Sequence, residues 1–163
     1  MAEKRSKFLI FMNTSPGETS AYTLVGDGVT ELSVAYNPQV NTEQFIINDS
    51  ATSIVTGYQP NAPVTKQAIK GDGEFEFINA LRRRRAILED AKTDVVLVDA
   101  YEKEEGGAYP AQKQAVTIQI DSYGGAASDP LSIGYTINWC GDPMDGKFNL
   151  ATKTFTEASE PTE

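Results

Sequence analysis

The sequence predicts a mainly β protein of the α+β class, in which a β-sandwich or barrel of two antiparallel sheets carries one flanking α-helix. Apolar and polar residues alternate along Val116–Asp121 and again along Leu131–Trp139, as in strands with one dry and one wet face. Val95–Val98 is a continuous apolar run, which is typical of a central strand covered on both faces. Phe77 and Leu81 follow helical spacing. The chain therefore predicts roughly eight to ten strands and one helix.

The strands before the helix are short and separated by turn residues. Phe8–Met12 is predicted to form a short strand or a segment that docks on a neighbour. Gly26-Asp27-Gly28 predicts a hairpin between Tyr22–Val25 and Val29–Tyr36, and Asn37-Pro38 is predicted to end the second strand. Further strands are predicted at Glu43–Asn48, Ser53–Tyr58 and Thr65–Lys70.

The helix is predicted to run from Glu74 to about Leu88. Asp72 is placed to cap its N-terminus, because a carboxylate there accepts hydrogen bonds from the first free backbone N–H groups. Downstream, Gly141–Gly146 predicts a turn, and Lys147 is predicted to begin the return strand.

With 163 residues, the chain is long enough for one domain with its own core. We expect an N-terminal arm and loop at residues 1–20, a β-sandwich domain at residues 21–155 and a disordered C-terminal tail at residues 156–163. The tail is rich in Thr, Glu, Ser and Pro, which do not form an apolar core.

Composition excludes several classes of function. The net charge is -9, so the protein is expected to repel nucleic acid rather than bind it tightly. There is no histidine, which removes the usual general base and the usual zinc ligand. Cys140 is the only cysteine, and no histidine exists to activate it. We expect no catalytic residue, no cofactor, no metal site and no membrane anchor.

Arg82, Arg83, Arg84 and Arg85 form the densest basic run of the chain. Consecutive residues of a helix point around most of its circumference, so this run does not form a single stripe for a nucleic-acid backbone. We interpret the arginines as candidates for salt bridges, within the chain or between subunits, rather than for DNA contact.

Aromatic residues admit two interpretations. Strand parity directs Trp139 into the core and Cys140 to the opposite face. The seven tyrosines, several of them at strand ends, are either half-buried residues of the sheets or interface residues.

Several motifs follow one another along Tyr22–Phe155. They are Tyr36-Asn37-Pro38-Gln39 after the Gly-Asp-Gly turn, Gly57-Tyr58 followed by prolines, Gly71-Asp72 before the helix with Leu81-Arg82-Arg83, Ala108-Tyr109-Pro110-Ala111-Gln112-Lys113, and Pro130–Asn138 closed by Gly141-Asp142-Pro143. In this order the chain resembles the tail tube (major tail) proteins of long-tailed, non-contractile bacteriophages. None of these motifs is catalytic.

The resemblance implies a phage tail tube-like fold of two packed antiparallel sheets with a helix alongside. It implies a structural virion protein, without enzymatic activity, whose hexameric rings stack into a hollow tube. The implied partners are other copies of the chain, a tail tip or initiator protein, a tape measure protein and a tail terminator. Genomic DNA would pass through without specific binding. The implied location is the virion tail, after synthesis and assembly in the cytoplasm of the bacterial host.

The resemblance also assigns expected roles to segments. Gln114–Asp121 and Leu131–Cys140 are expected to line the bore or to face the adjacent subunit, with the helix on the outer side. The candidate contacts between rings are Asn37, Pro38, Gln39, Asp142, Pro143, Met144 and Asp145. The candidate salt bridges between subunits are those of Arg82, Arg83, Arg84 and Arg85.

Three alternatives stay open at the level of the sequence. The first is the same tube in a contractile tail, a tail-derived bacteriocin or a secretion apparatus. The second, of a different class, is a monomeric β-sandwich that binds a sugar or a protein as an adhesion module. The third is an enzyme that uses carboxylates alone, which requires a pocket holding acids of perturbed pKa.

Overall fold

The computed structural model describes residues 1–17, 19–102 and 105–158, which form ten strands and one α-helix. In chain order these are β1 (Phe8–Asn13), β2 (Tyr22–Leu24), β3 (Pro38–Glu43), β4 (Thr52–Tyr58), β5 (Asn61–Gln67), α1 (Gly73–Arg84), β6 (Lys92–Asp99), β7 (Ala108–Gly124), β8 (Ser132–Trp139), β9 (Met144–Asn149) and β10 (Thr154–Glu157). An eight-stranded antiparallel sheet has the order β10-β9-β7-β6-β1-β2, with β5 joined to β7 through β8. β3 and β4 form a separate two-stranded sheet.

The 17-residue strand β7 organises the large sheet. Its first half, from Ala108 to Lys113, pairs with β9, and its second half, from Val116 to Gly124, pairs with β8. β6 pairs with the middle of β7. The register shifts between Ile120 and Ser122, and an irregularity of this kind increases the local bend and twist of a strand. The sheet therefore curls, and the mainly β fold with one helix is confirmed.

Two apolar clusters lie on the two faces of β6. Val95 and Leu97 belong to the larger cluster, which also contains the inward side chains of β5, β8 and α1. Val96 and Val98 belong to the smaller cluster, which is centred on Phe148 of β9. All four side chains of this run are buried, so the prediction of a central strand covered on both faces is confirmed.

The helix begins as predicted and ends earlier. The carboxylate of Asp72 accepts a hydrogen bond from the backbone N–H of Phe75 at 3.2 Å, which confirms the N-cap. The helix ends at Arg84 instead of Leu88, because Arg85 adopts the left-handed conformation with φ of 47°. The backbone N–H of Ala86 then donates to the carbonyl of Leu81, which closes the helix with a Schellman-type bond. No glycine marks this stop, so the sequence did not reveal it.

Strands lie near both ends of the described residues. Phe8–Asn13 is β1 and pairs with β6, which confirms the short strand predicted at Phe8–Met12 within the expected arm. Thr154–Glu157 is β10, which pairs with β9, so the tail expected from residue 156 begins inside a strand. Residues 159–163 lie outside the described residues.

The hairpin predicted around Gly26-Asp27-Gly28 is wrong. Tyr22–Leu24 pairs with β1 instead, and Val29–Tyr36 contains only an isolated bridge between Ala35 and Asn61. Pairing with the central strands of the large sheet therefore replaces the local hairpin.

The strand predicted at Glu43–Asn48 is also misplaced. Pro38–Glu43 forms β3, because its backbone pairs with β4, and the apolar residues that follow form the turn. Local β propensity did not decide where the chain reverses.

A buried ionic cluster fixes α1 to the large sheet. The ammonium of Lys66 on β5 lies 2.9 Å from a carboxylate oxygen of Asp72 and 3.1 Å from one of Glu74. Lys66 also donates to the carbonyl of Asp27, and the hydroxyl of Tyr135 donates to Glu74. Burial raises the pKa of Glu74, although the hydrogen bond from Tyr135 and the charge of Lys66 oppose this shift.

Within residues 1–17, 19–102 and 105–158, no helix has the length and apolarity needed to cross a membrane.

We predict that Lys66→Ala lowers the free energy of unfolding by about 3 kcal/mol, because it leaves two carboxylates without their buried cation. Lys70→Ala is the matched control, since Lys70 is exposed. Urea unfolding followed by tryptophan fluorescence measures both variants. Equal midpoints for the two variants would contradict the structural role of the cluster.

Candidate assembly surfaces

A projecting hairpin, formed by β3, β4 and the loop between them, is exposed on both of its faces. Every residue from Tyr36 to Thr56 is exposed, whereas each other strand pairs within the large sheet. A lone two-stranded hairpin is only marginally stable in water, so a hairpin of this length needs further contacts to be held firmly.

The projecting hairpin carries an unusual amount of apolar surface. Half of the large apolar side chains that are exposed among the described residues lie between Tyr36 and Tyr58. At the tip, which we define as Phe45–Ile47, the exposed fractions are 58%, 104% and 87%. Val40 and Val55 add a cross-strand apolar pair. Exposed apolar surface concentrated in this way marks an interaction site.

The predicted contact residues Asn37, Pro38 and Gln39 lie at the base of the projecting hairpin. Asn37 has φ of 46°, a left-handed conformation that asparagine tolerates better than most residues. Its side-chain amide donates to the carbonyl of Gln59 at 3.0 Å, which fastens the two strands together at the base. Pro38 pairs with Tyr58, so the proline begins a strand instead of breaking one. The three residues thus orient the projecting hairpin, and all of them are exposed.

A groove of about 670 Å³ opens at the same base. We call it the aromatic groove, because Tyr36, Tyr58 and Trp139 line it together with Pro143. The rings of Tyr36 and Tyr58 meet edge to face with centroids 6.4 Å apart. Trp139 packs against the larger core cluster, as strand parity predicted, but it is only partly buried and also faces this groove.

The second predicted contact segment joins the same groove. Asp142 and Pro143 line the aromatic groove together with Tyr36, which directly precedes the first predicted segment. The turn is shorter than the predicted Gly141–Gly146, because Met144 already begins β9. Asp145 accepts a hydrogen bond from Gln112 of β7 at 2.8 Å, and Met144 is partly exposed beside it.

Gln114 also lines the aromatic groove and is fully buried. Its side-chain nitrogen donates to the carbonyls of Ala115, Cys140 and Gly141 at 2.8–3.1 Å. These three acceptors fix the orientation of the amide, because only the nitrogen can donate. Its oxygen Oε1 consequently points elsewhere and has no hydrogen-bond partner. No sequence signal distinguished this glutamine from its neighbours.

The arginine run divides into one residue held by the chain and others that point outward. The guanidinium of Arg82 lies 3.9 Å from the ring centroid of Tyr123, and its Nε donates to Asn79 at 2.9 Å. Arg83, Arg84 and Arg85 are exposed. Among the described residues, no carboxylate lies within 4.0 Å of any of the four, so the predicted salt bridges within the chain are not formed there.

Rings, prolines and amides give these surfaces apolar and hydrogen-bonding groups. In the part of the chain that the structure describes, no three Cys, Asp or Glu side chains are grouped to hold a metal ion. The aromatic groove is lined by rings, prolines and amides, and its only carboxylate is that of Asp142.

No known protein-family profile matches the chain, and no curated protein matches it. Solved structures, in contrast, do match the chain. A chain from the tail of an empty GTA particle, computed with helical refinement and C6 symmetry, superposes with a TM-score of 0.61 and 10% identity, covering 87% of this chain and 97% of that one. A chain from the anti-feeding prophage baseplate, 6-fold symmetrised, superposes with a TM-score of 0.50 and 10% identity, covering 89% of this chain and 95% of that one.

The chain has a tail tube-like fold. The superpositions cover nearly the whole of both partner chains, so the match includes the curled sheet and the helix as one unit. At 10% identity the similarity concerns the fold, and the roles of individual residues rest on their own geometry.

We predict that Arg82→Ala lowers the free energy of unfolding by about 1 kcal/mol, because it removes the cation–π contact with Tyr123 and one hydrogen bond. Arg83→Ala is the matched control and is expected to stay within about 0.5 kcal/mol of the wild type. Chemical unfolding of the two variants measures the difference. Identical losses would show that the run acts as one surface.

Proposed function

We propose that the protein is a structural tail subunit that assembles with copies of itself into stacked hexameric rings, forming a tube through which phage DNA passes. The projecting hairpin carries this proposal. Its two faces and its tip carry exposed apolar side chains, and the remainder of the described chain leaves them uncovered.

Burying this surface contributes part of the free energy that assembly needs. Complete burial of one isoleucine or phenylalanine side chain contributes about 1.5–3 kcal/mol. Phe45, Ile46 and Ile47 together are therefore worth several kcal/mol per contact before the entropy of association is subtracted. Because each copy makes the contact with a neighbour, the stabilisation repeats along the assembly.

Unpaired strand edges support closure within a ring. β2 and β10 are the two ends of the large sheet, and β5 pairs with β8 along one edge while its other edge carries an isolated bridge between Asn61 and Ala35. Open edges attract other strands, and closing a ring of subunits removes them as a closed barrel does. The tail and baseplate chains with the same fold come from particles treated with six-fold symmetry, which agrees with a ring of six.

The charge of the chain suits a conduit for DNA. With a net charge of -9, the wall of a tube built from this chain repels phosphates instead of retaining them. We therefore assign no catalytic role and propose that DNA passes without specific binding. The proposed partners remain a tail tip or initiator, a tape measure and a terminator protein, in the virion tail.

We retain Asn37–Gln39 and Asp142–Asp145 as proposed contacts between rings, because Asp142 and Pro143 line the groove at the base of the projecting hairpin and Asn37–Gln39 begin that hairpin beside Tyr36. We also retain Arg83, Arg84 and Arg85 as proposed partners for carboxylates of neighbouring subunits. Arg82 is less available, because Tyr123 and Asn79 already hold its guanidinium.

A second candidate keeps the tube and changes its setting. The fold is also that of a chain from the anti-feeding prophage baseplate, which favours a place in a contractile or injection-type particle. The two settings differ in the surrounding proteins, so the same assembly chemistry applies to both.

We predict that the double variant Ile46→Asp, Ile47→Asp folds as the wild type does and no longer assembles. Both side chains are exposed in the isolated chain, so the monomer loses little, whereas burying two carboxylates in a contact is strongly unfavourable. Ile87→Asp is the matched control, since Ile87 is 68% exposed and lies outside the hairpin.

Circular dichroism checks folding, and sedimentation velocity over rising concentration, with negative-stain microscopy, checks assembly. Tubes of normal length from the double variant would overturn the role of the tip. A wild-type chain that stays monomeric at every concentration would overturn the proposed function.

A further inference from the structure

We propose that the aromatic groove is the receptor for the tip of the projecting hairpin, Phe45–Ile47, of a second copy of this chain. The inference rests on the proposed function and deepens it, because it names the two surfaces that join consecutive subunits. Three features of the groove support it, and a fourth point concerns how the contact repeats from copy to copy.

The first feature is the lining of the groove. Tyr36, Tyr58, Trp139 and Pro143 present a mostly apolar surface around a volume of about 670 Å³, which is the size of a pocket that receives several side chains. Tyr36 and Tyr58 are 54% and 61% exposed, so the receptor is open in the isolated chain. Aromatic side chains with exposed polar ends are favoured at such contacts.

The second feature is the unsatisfied acceptor of Gln114. A buried polar atom without a partner costs about 1–3 kcal/mol, and the body of this protein otherwise pairs nearly all of its buried side-chain atoms. An occupant that brings a hydrogen-bond donor as well as apolar groups suits a groove that Gln114 lines together with aromatic rings. A chain reversal such as the tip exposes backbone N–H groups beside its apolar side chains, so it supplies both.

The third feature is the position of the groove relative to the tip. Gly57 and Tyr58 line the groove at the base of the hairpin, while Ile46 and Ile47 lie beyond its far end, before Thr52. At about 3.3 Å per residue, β4 alone separates the two by roughly 17 Å. The tip therefore cannot fold back into the groove of its own chain, so a tip that fills the groove belongs to another copy.

The fourth point is that the contact joins two different surfaces. Tip and groove are different surfaces, so a copy that inserts its tip into a neighbour still offers its own groove to the next copy. Such a heterologous contact does not close on a pair and propagates in the direction of the hairpin. Asn37 fixes that direction by fastening the base of the hairpin.

Disulfide trapping tests the contact directly. In a Cys140→Ser background, one preparation carries Ile46→Cys and another carries Gly57→Cys, and the two are mixed and oxidised under assembly conditions. We expect a covalent dimer in the mixture and little in either preparation alone, because only tip and groove meet. A single chain with both cysteines is expected to yield a ladder of covalent oligomers. An internal bridge is excluded, since a disulfide needs Cα atoms within about 7 Å.

Filling the groove gives an independent readout. A Cβ added to Gly57 meets no atom within 4 Å, so Gly57→Trp occupies the groove without straining the chain. We expect it to raise the concentration needed for assembly at least tenfold. Gly26→Trp is the matched control, because a Cβ at Gly26 makes only one ordinary contact at 3.8 Å and lies outside this groove.

The outcomes separate the inference from the function. Tubes that form normally from Gly57→Trp, or that form in the mixture without a disulfide between residues 46 and 57, overturn the tip-in-groove contact and leave the tail subunit intact. A wild-type chain that remains monomeric, with tryptophan fluorescence that shifts on adding an oligosaccharide, overturns both and identifies the groove as the site of a sugar-binding module.

Discussion

The structure depends on the pairing of one long strand with three others. β7 hydrogen-bonds to β6 along its middle, to β9 along its first half and to β8 along its second half. This arrangement forces the sheet to curl, and the curl creates both apolar clusters. It also brings the ends of β8 and β9 together, so that Trp139 and Pro143 become two walls of one groove.

The large sheet with its helix, which we call the body, differs from the projecting hairpin in how its side chains are partnered. In the body, even a buried lysine is compensated, because Asp72, Glu74 and the carbonyl of Asp27 surround the ammonium of Lys66. In the hairpin, apolar side chains on both faces and at the tip remain in water. Most buried polar side chains of the described residues are paired, whereas the apolar surface of the hairpin is uncovered.

Periodicity predicted the elements whose residues contact one another across the sheet. The alternation of β7, the apolar run of β6 and the N-cap at Asp72 were found in the structure, whereas β8 is buried on both faces from Ile133 to Ile137 and lacks the predicted wet face. The failures have a common cause. Phe45–Ile47 has strong strand propensity and forms a turn, and Arg85 ends the helix without a glycine, because the pairing of β4 and the packing of the helix outweigh local preference.

The sequence alone determined that this protein is a mainly β chain with one capped helix, acidic, without histidine, and without the residue spacing of a catalytic or metal site. It also placed two contact segments, around Asn37 and Asp142, without relating them. Only the tertiary structure decided that Asp142 and Pro143 border one groove with Tyr36, that Gln114 lies there with an unpaired oxygen, and that the hairpin is exposed on both faces. The physical reason is that side-chain period reports which face of a strand is dry, whereas the meeting of distant segments depends on how the whole sheet curls.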